Sequence, residues 1–165
     1  MKHTDMTQLP ASDFFCAVEN MLSDGYDVEF TVTGNSMWPV LRHGRDRVII
    51  SSYGDKKIQP GDTVLYCPIR EKYLLHRIMF VKNGNFRAAG DNNCFYDGNF
   101  STDCIIGRVT TYIRKEKKYS ADSFAMRAWS FCWRVLFPVR KILLWLLRKR
   151  VNKNLTTDVK KINDK

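Results

Sequence analysis

Residues 63–89 read TVLYCPIREKYLLHRIMFVKNGNFRAA. Thr63–Cys67, Tyr73–Val81 and Asn85–Ala89 are short runs of apolar and aromatic residues, with the turn cluster Lys82–Gly84 between the last two. The pattern extends outward in both directions. Val28, Phe30 and Val32 alternate with Glu29, Thr31 and Thr33 up to Gly34, and Arg47–Ser51 and Ile105–Ile113 are further strand candidates. Turn clusters at Tyr53–Lys57, Gln59–Asp62 and Gly90–Asn93 punctuate them. Short strands at this density, with no helix between them, predict a mainly β fold, antiparallel or mixed, and exclude a doubly wound parallel sheet. Ahead of the strands, Ser12 is placed to cap a helix over 13–24, with Phe14, Phe15, Val18, Met21 and Leu22 on one face and Gly25 as its stop.

A chain of 165 residues with 44% hydrophobic and 27% charged residues has room for one modest core, which argues against a multidomain machine. Its 13% aromatic content excludes disorder throughout. The formal charge of +10 is unevenly placed: residues 1–123 hold 16 Lys/Arg against 15 Asp/Glu, residues 124–150 hold 7 against none, and residues 151–165 hold 4 against 2. The basicity belongs to one late segment, and the body is nearly neutral. Cys16, Cys67, Cys94, Cys104 and Cys132 are odd in number and show no zinc-ligand spacing, so free thiols in a reducing compartment and no structural metal are expected. The opening MKHTDMTQLPASDFF lacks the apolar run of a signal peptide.

Three places can carry chemistry. Gly34-Asn35-Ser36-Met37-Trp38-Pro39 is a strand end breaking into a turn that holds one serine, the arrangement a nucleophile needs for a rigid Oγ and a nearby backbone N–H. The plainer reading is an ordinary turn with Met37 and Trp38 as core plugs. In Leu74–Phe80, strand alternation puts His76 on one face with Leu74, Ile78 and Phe80 and turns Arg77 to the other. Such an imidazole is either a satisfied core histidine or a base kept neutral by desolvation. Gly90-Asp91-Asn92-Asn93-Cys94-Phe95-Tyr96-Asp97 is a polar loop with two acids, either of which could accept the second N–H of the imidazole.

Taken in order, Ser36-Met37-x-Pro39, Pro60-Gly61-Asp62-Thr63-Val64, His76-Arg77-Ile78, and Gly90-Asp91-Asn92-Asn93 with Asp97 resemble the serine peptidases of the type I signal peptidase and LexA-like superfamily over roughly residues 28–113. A histidine where many bacterial members have lysine is similar to the signal peptidases of the endoplasmic-reticulum type. The resemblance implies a mostly β peptidase domain, Ser36 as nucleophile and His76 as general base. It maps the triad acid onto Asp97, with Asp91 as a supporting or alternative acid. It further implies the Ser36 backbone N–H as an oxyanion donor, Met37 and Pro39 in the substrate groove, a polypeptide precursor with small residues before the cut as substrate, and no cofactor. Some relatives place a hydroxyl donor two residues before the serine, where this chain has Gly34.

Two family features are missing from the sequence. No transmembrane helix precedes the serine, and about 27 residues before the first strand are too few for the helix-turn-helix domain of a LexA-type repressor. The expected organisation is an N-terminal helical segment (1–26), a β-domain (27–119), a basic amphipathic helix (120–150) kinked at Pro138, and a polar tail (151–165). In the basic segment Arg127, Arg134, Lys141 and Arg148 recur every seven residues beside Trp133 and Trp145. Burying its central cations in a spanning helix would cost about 2.5–3.5 kcal/mol each. Lying on an anionic surface would gain about 1 kcal/mol per cation. The expectation is therefore peripheral association with an anionic membrane surface, on its cytoplasmic side, rather than nucleic-acid binding. A helix packed back on the β-domain and a non-catalytic peptide- or membrane-binding module are the competing readings.

Overall fold

The protein is described from a computed structural model covering residues 11–54, 57–69 and 72–150. The segments 1–10 and 151–165, including the expected polar tail, lie outside the described residues. The elements in chain order are α1 (Ala11–Ser23), β1 (Val28–Thr31), β2 (Arg47–Ser51), β3 (Thr63–Ile69), β4 (Lys72–Lys82), β5 (Asn85–Ala89), β6 (Phe100–Ser101), β7 (Ile105–Arg114), β8 (Lys117–Ser120), α2 (Phe124–Val135) and α3 (140–150). All eight strands join one sheet, seven of them in the order β1-β2-β7-β3-β4-β5-β6 with β8 paired to β7 off that path, and every pairing is antiparallel. The ten-residue β7 organises it: β2 lies along one side, while β3 pairs with its first half and β8 with its second half on the other.

Alternation along β3 sends neighbours to opposite faces, where they enter two cores. Leu65 joins Val18 and Leu22 of α1, Val28, Met37, Leu41, Val48, Ile50, Val109 and Tyr112. Val64 and Tyr66 join Ile78, Phe86 and Ala88. Helix α1 ends as its sequence dictates: Gly25, at φ 85°, donates to Leu22 O and Tyr26 donates to Met21 O, which satisfies the last carbonyls by a left-handed C-terminal cap. The helix starts at Ala11, ahead of the expected cap, and Met21 is 43% exposed instead of sharing the buried face. Where α1 crosses the sheet, Gly107 leaves the space: a Cβ there would lie 2.6 Å from Ile50 Cγ2 and 3.0 Å from Leu22 Cδ1.

Two features of the sheet depart from the sequence pattern. In β4 the pairing with β5 passes from Ile78↔Ala88 to Phe80↔Arg87, leaving Met79 as a bulge. The extra residue reverses the alternation, so Met79 is buried and Phe80, expected on the same inward face as His76, is half-exposed. A hairpin to β8 extends the sheet beyond the expected strands; Lys117–Ser120 is exposed throughout and so carries no apolar alternation, and Lys115 and Glu116, both at positive φ, make its turn.

The basic segment is two helices, not one. Ser123 caps α2 by accepting from Met126 N–H, and the chain then breaks at Leu136 into a short 3₁₀ turn over Phe137–Val139 that contains Pro138. Among the described residues no helix is long and apolar enough to cross a membrane.

Candidate active site

The serine turn is built at the end of the first strand. Val32 N–H donates to Asp46 O, Gly34 adopts φ 86°, and Gly34 N–H donates to His43 Nδ1 at 2.9 Å. Trp38 N–H closes back on Asn35 O, and Met37, 1% exposed, plugs the turn into the α1 core. Ser36 is left half-buried between these anchors. Met37 is therefore a packing residue in this structure, as the plainer reading of the turn has it, with almost no surface open to a peptide. Pro39 does line a cleft, with Val40, Arg114, Ala125, Met126 and Trp129.

His76 sits mid-strand opposite Val64. Its ring projects toward the second core, edge-on to Tyr66, and keeps 6% of its side-chain surface. Asp97, whose own N–H is held by Ala88 O, places Oδ2 2.6 Å from His76 Nδ1. Tyr66 donates its hydroxyl to the same oxygen at 2.9 Å. As a carboxylate Asp97 can only accept, so a neutral ring carries its proton on Nδ1 and leaves Nε2 as a base. Burial, and then the neighbouring Asp97 charge, push the Tyr66 phenol well above its ordinary pKa, so it stays a donor. Sequence reasoning missed Tyr66. Its signal was its position on β3 two residues beyond the partner of His76, diagonal to it across the pair.

Asp91 does something else. Arg77, fully buried on the opposite face of β4, grips both its oxygens, Nε to Oδ1 at 2.9 Å and Nη2 to Oδ2 at 2.8 Å. Nη1 of the same guanidinium donates to Gly61 O and Ser130 Oγ. Burial opposes the charge on Arg77, yet the Asp91 carboxylate more than offsets this and raises its pKa. Of the two acids left open by the sequence, Asp97 contacts the imidazole and Asp91 is committed to arginine.

The serine and the histidine meet at Gly90. A Cβ on this residue would stand 2.6 Å from Ser36 O and 3.1 Å from His76 Nε2, so the serine backbone and the free imidazole nitrogen crowd the same point. Asn92 fixes the approach, its N–H donating to Ser36 O at 2.7 Å and its Nδ2 to Asn35 O at 3.1 Å. No hydrogen bond joins the Ser36 hydroxyl to the imidazole in this structure; in resting sites that contact is commonly long and closes around substrate. The arrangement can deprotonate a hydroxyl and return the proton to a leaving group. Among the described residues no group of three or more His, Cys, Asp or Glu side chains is placed to hold a metal ion.

The residues expected to meet lipid are divided between two sides of the helices. Trp133 is 3% exposed and donates its indole N–H to Asp91 O, while Arg127 pairs with Asp62 and Gln59. Arg148 donates to Asn92 Oδ1, and Arg134 is half-buried, its pKa lowered by burial and then by Arg77. Trp133, Arg127 and Arg148 face the β-domain, where their polar tips find a backbone carbonyl, a carboxylate and side-chain amide oxygens, whereas the buried Nε of Arg134 has no hydrogen-bond partner among the described residues. Lys141 and Trp145 stay exposed.

Replacing Arg77 by methionine strands the Asp91 carboxylate in the interior. Urea unfolding of Arg77→Met is expected to show a loss of about 3–5 kcal/mol, the usual result of removing one partner of a buried pair. A scan against protein-family models and a search of curated proteins find no match for this chain.

Proposed function

We propose that this chain is a serine endopeptidase of the signal-peptidase and LexA-like type, cleaving a peptide or protein precursor. The observation that carries the reading is the His76–Asp97 contact of 2.6 Å combined with the convergence of His76 Nε2 and the Ser36 backbone on Gly90. In the proposed reaction His76 Nε2 takes the Ser36 hydroxyl proton as Oγ adds to the scissile carbonyl. The imidazolium that forms is stabilised by Asp97, and it gives its proton to the departing amine as the C–N bond breaks. Water activated by the same nitrogen then hydrolyses the ester. The Ser36 backbone N–H is the proposed oxyanion donor. Arg77 and Asp91 act on the other face of β4, where they hold the strand and the turn rather than touch substrate.

The competing reading, a non-catalytic peptide-binding module, draws on the missing Ser36–His76 hydrogen bond. An active-site fluorophosphonate separates the two. The expected result is one adduct by intact mass, lost in Ser36→Ala, with Asp97→Asn slowing modification about 10²–10⁴-fold. Folded protein that hydrolyses no precursor and takes no adduct supports the module.

We also propose that the outer face of the C-terminal helices lies on an anionic membrane surface. Phe124, Phe131 and Val135 of α2 fall at helical spacing and are all exposed, as are Ile142, Trp145 and Leu146 of α3. No acid occurs in residues 124–150, and Lys141, Lys149 and Arg150 are exposed beside the apolar stripe. This complementarity favours anionic headgroups over a second protein. Flotation with phosphatidylglycerol-containing vesicles tests it by point substitution, since truncation would also remove the inward-facing Trp133. The full chain is expected to float, and the Ile142→Ser/Trp145→Ser double variant to stay at the bottom of the gradient. Equal flotation of both would contradict the assignment.

A further inference from the structure

The most unusual cation in the molecule lies in the C-terminal helices, far from the serine in sequence. Arg140, the first residue of α3, is fully buried and pairs with no carboxylate side chain among the described residues. Its Nη1 donates to Gly90 O at 3.0 Å and Asn93 O at 3.1 Å, and its Nη2 to Trp133 O at 2.9 Å. The guanidinium also stacks over the Phe137 and Trp133 rings, 4.6 and 5.3 Å from their centroids. A buried charge whose hydrogen bonds go to carbonyls is a poor choice for stability alone, because the nearby Asp91 charge offsets its desolvation only in part. What it does achieve is geometric. A planar fork reaches three carbonyls from two nitrogens at fixed separation, a geometry the single nitrogen of an ammonium does not reproduce.

Two of those carbonyls belong to the turn that carries Gly90 and Asn92. On its other side the same turn binds Ser36 O through Asn92 N–H and Asn35 O through Asn92 Nδ2. Trp133 and Arg148 add donors to Asp91 O and Asn92 Oδ1 from the helix side. The turn is thus clamped between the helices and the serine loop, with the imidazole against its first residue.

We propose that Arg140 is a positioning residue for the reaction: through the Gly90–Asn93 turn it holds the Ser36 backbone in register with His76. The inference rests on the peptidase reading for its catalytic part, whereas its geometric part stands on the turn alone. The C-terminal helices are then part of the catalytic apparatus, acting from outside the sheet. An event that loosens α3 from the turn would lower the rate without any change at Ser36, His76 or Asp97.

The test uses the full chain with Arg140→Lys, which keeps the charge but replaces the rigid two-nitrogen fork by one nitrogen on a flexible stem, and Trp133→Phe, which keeps an aromatic ring but loses the N–H donor to Asp91 O. The direct readout is amide hydrogen exchange at Asn92, whose N–H is bonded to Ser36 O, compared with Ile78, whose N–H is bonded to Asp62 O. Exchange at Asn92 is expected to quicken on the order of tenfold in Arg140→Lys with Ile78 unchanged, and less in Trp133→Phe. The kinetic readout is a fall in kcat on the order of 10–100-fold with KM within about twofold. Asn92 exchange that equals wild type, or rises only in step with Ile78, overturns the proposal; so does an unchanged kcat in a variant whose turn has loosened. Should Arg140→Lys fail to fold, Trp133→Phe carries the same comparison. Wild-type protein without Ser36-dependent hydrolysis would remove the peptidase reading, and Asn92 exchange would still decide whether Arg140 holds the turn.

Discussion

The architecture depends on a place with no room for one carbon atom. At Gly90 three segments distant in sequence converge: the serine turn after β1, the imidazole in the middle of β4, and the polar turn that follows β5. Any side chain at this position would push Ser36 O and His76 Nε2 apart, since both lie within 3.1 Å of where its first carbon would be. The crowding matters for chemistry because a base acts only within hydrogen-bond reach of the group it deprotonates. Packing the backbones this closely is how a small sheet brings the serine turn and an imidazole forty positions later against the same glycine.

What keeps the convergence from relaxing is a polar interior beneath it. Arg77 and Asp91 form a two-toothed buried pair that ties β4 to the turn from the face opposite His76. Adjacent residues of one strand therefore have different tasks, His76 toward the chemistry and Arg77 toward the support. A buried pair of this kind adds little net stability, but its directional bonds tolerate few alternative arrangements. The C-terminal helices extend the same logic: Trp133, Arg140 and Arg148 meet the turn with hydrogen-bond donors, while their apolar neighbours Phe131, Ile142 and Trp145 are left outside.

The strands were legible in the sequence because alternation and turn chemistry agree there; Arg47–Ser51 and Asn85–Ala89 fall on the expected boundaries. Legibility failed where tertiary context overrides a local rule. The bulge at Met79 is invisible in a run of apolar residues, so Phe80 was placed on the wrong face. Seven-residue spacing put Arg127, Arg134, Lys141 and Arg148 on one stripe, but the break at Leu136–Val139 and the partners on the β-domain divide them. Arg127 and Arg148 turn to Asp62 and Asn92, while Lys141 stays exposed. The order Ser36, His76, Asp97 was readable as a motif. That Asp97 and not Asp91 meets the imidazole depends on Arg77 capturing the other carboxylate, a contact no spacing rule contains.

The central claim is a proximity, and a high-resolution crystal structure of the chain with a bound peptide product measures it directly. The account predicts Ser36 Oγ within about 2.6–3.2 Å of His76 Nε2, with Nδ1 still on Asp97. A hydroxyl turned into the protein and an imidazole sealed from the bound peptide would contradict it.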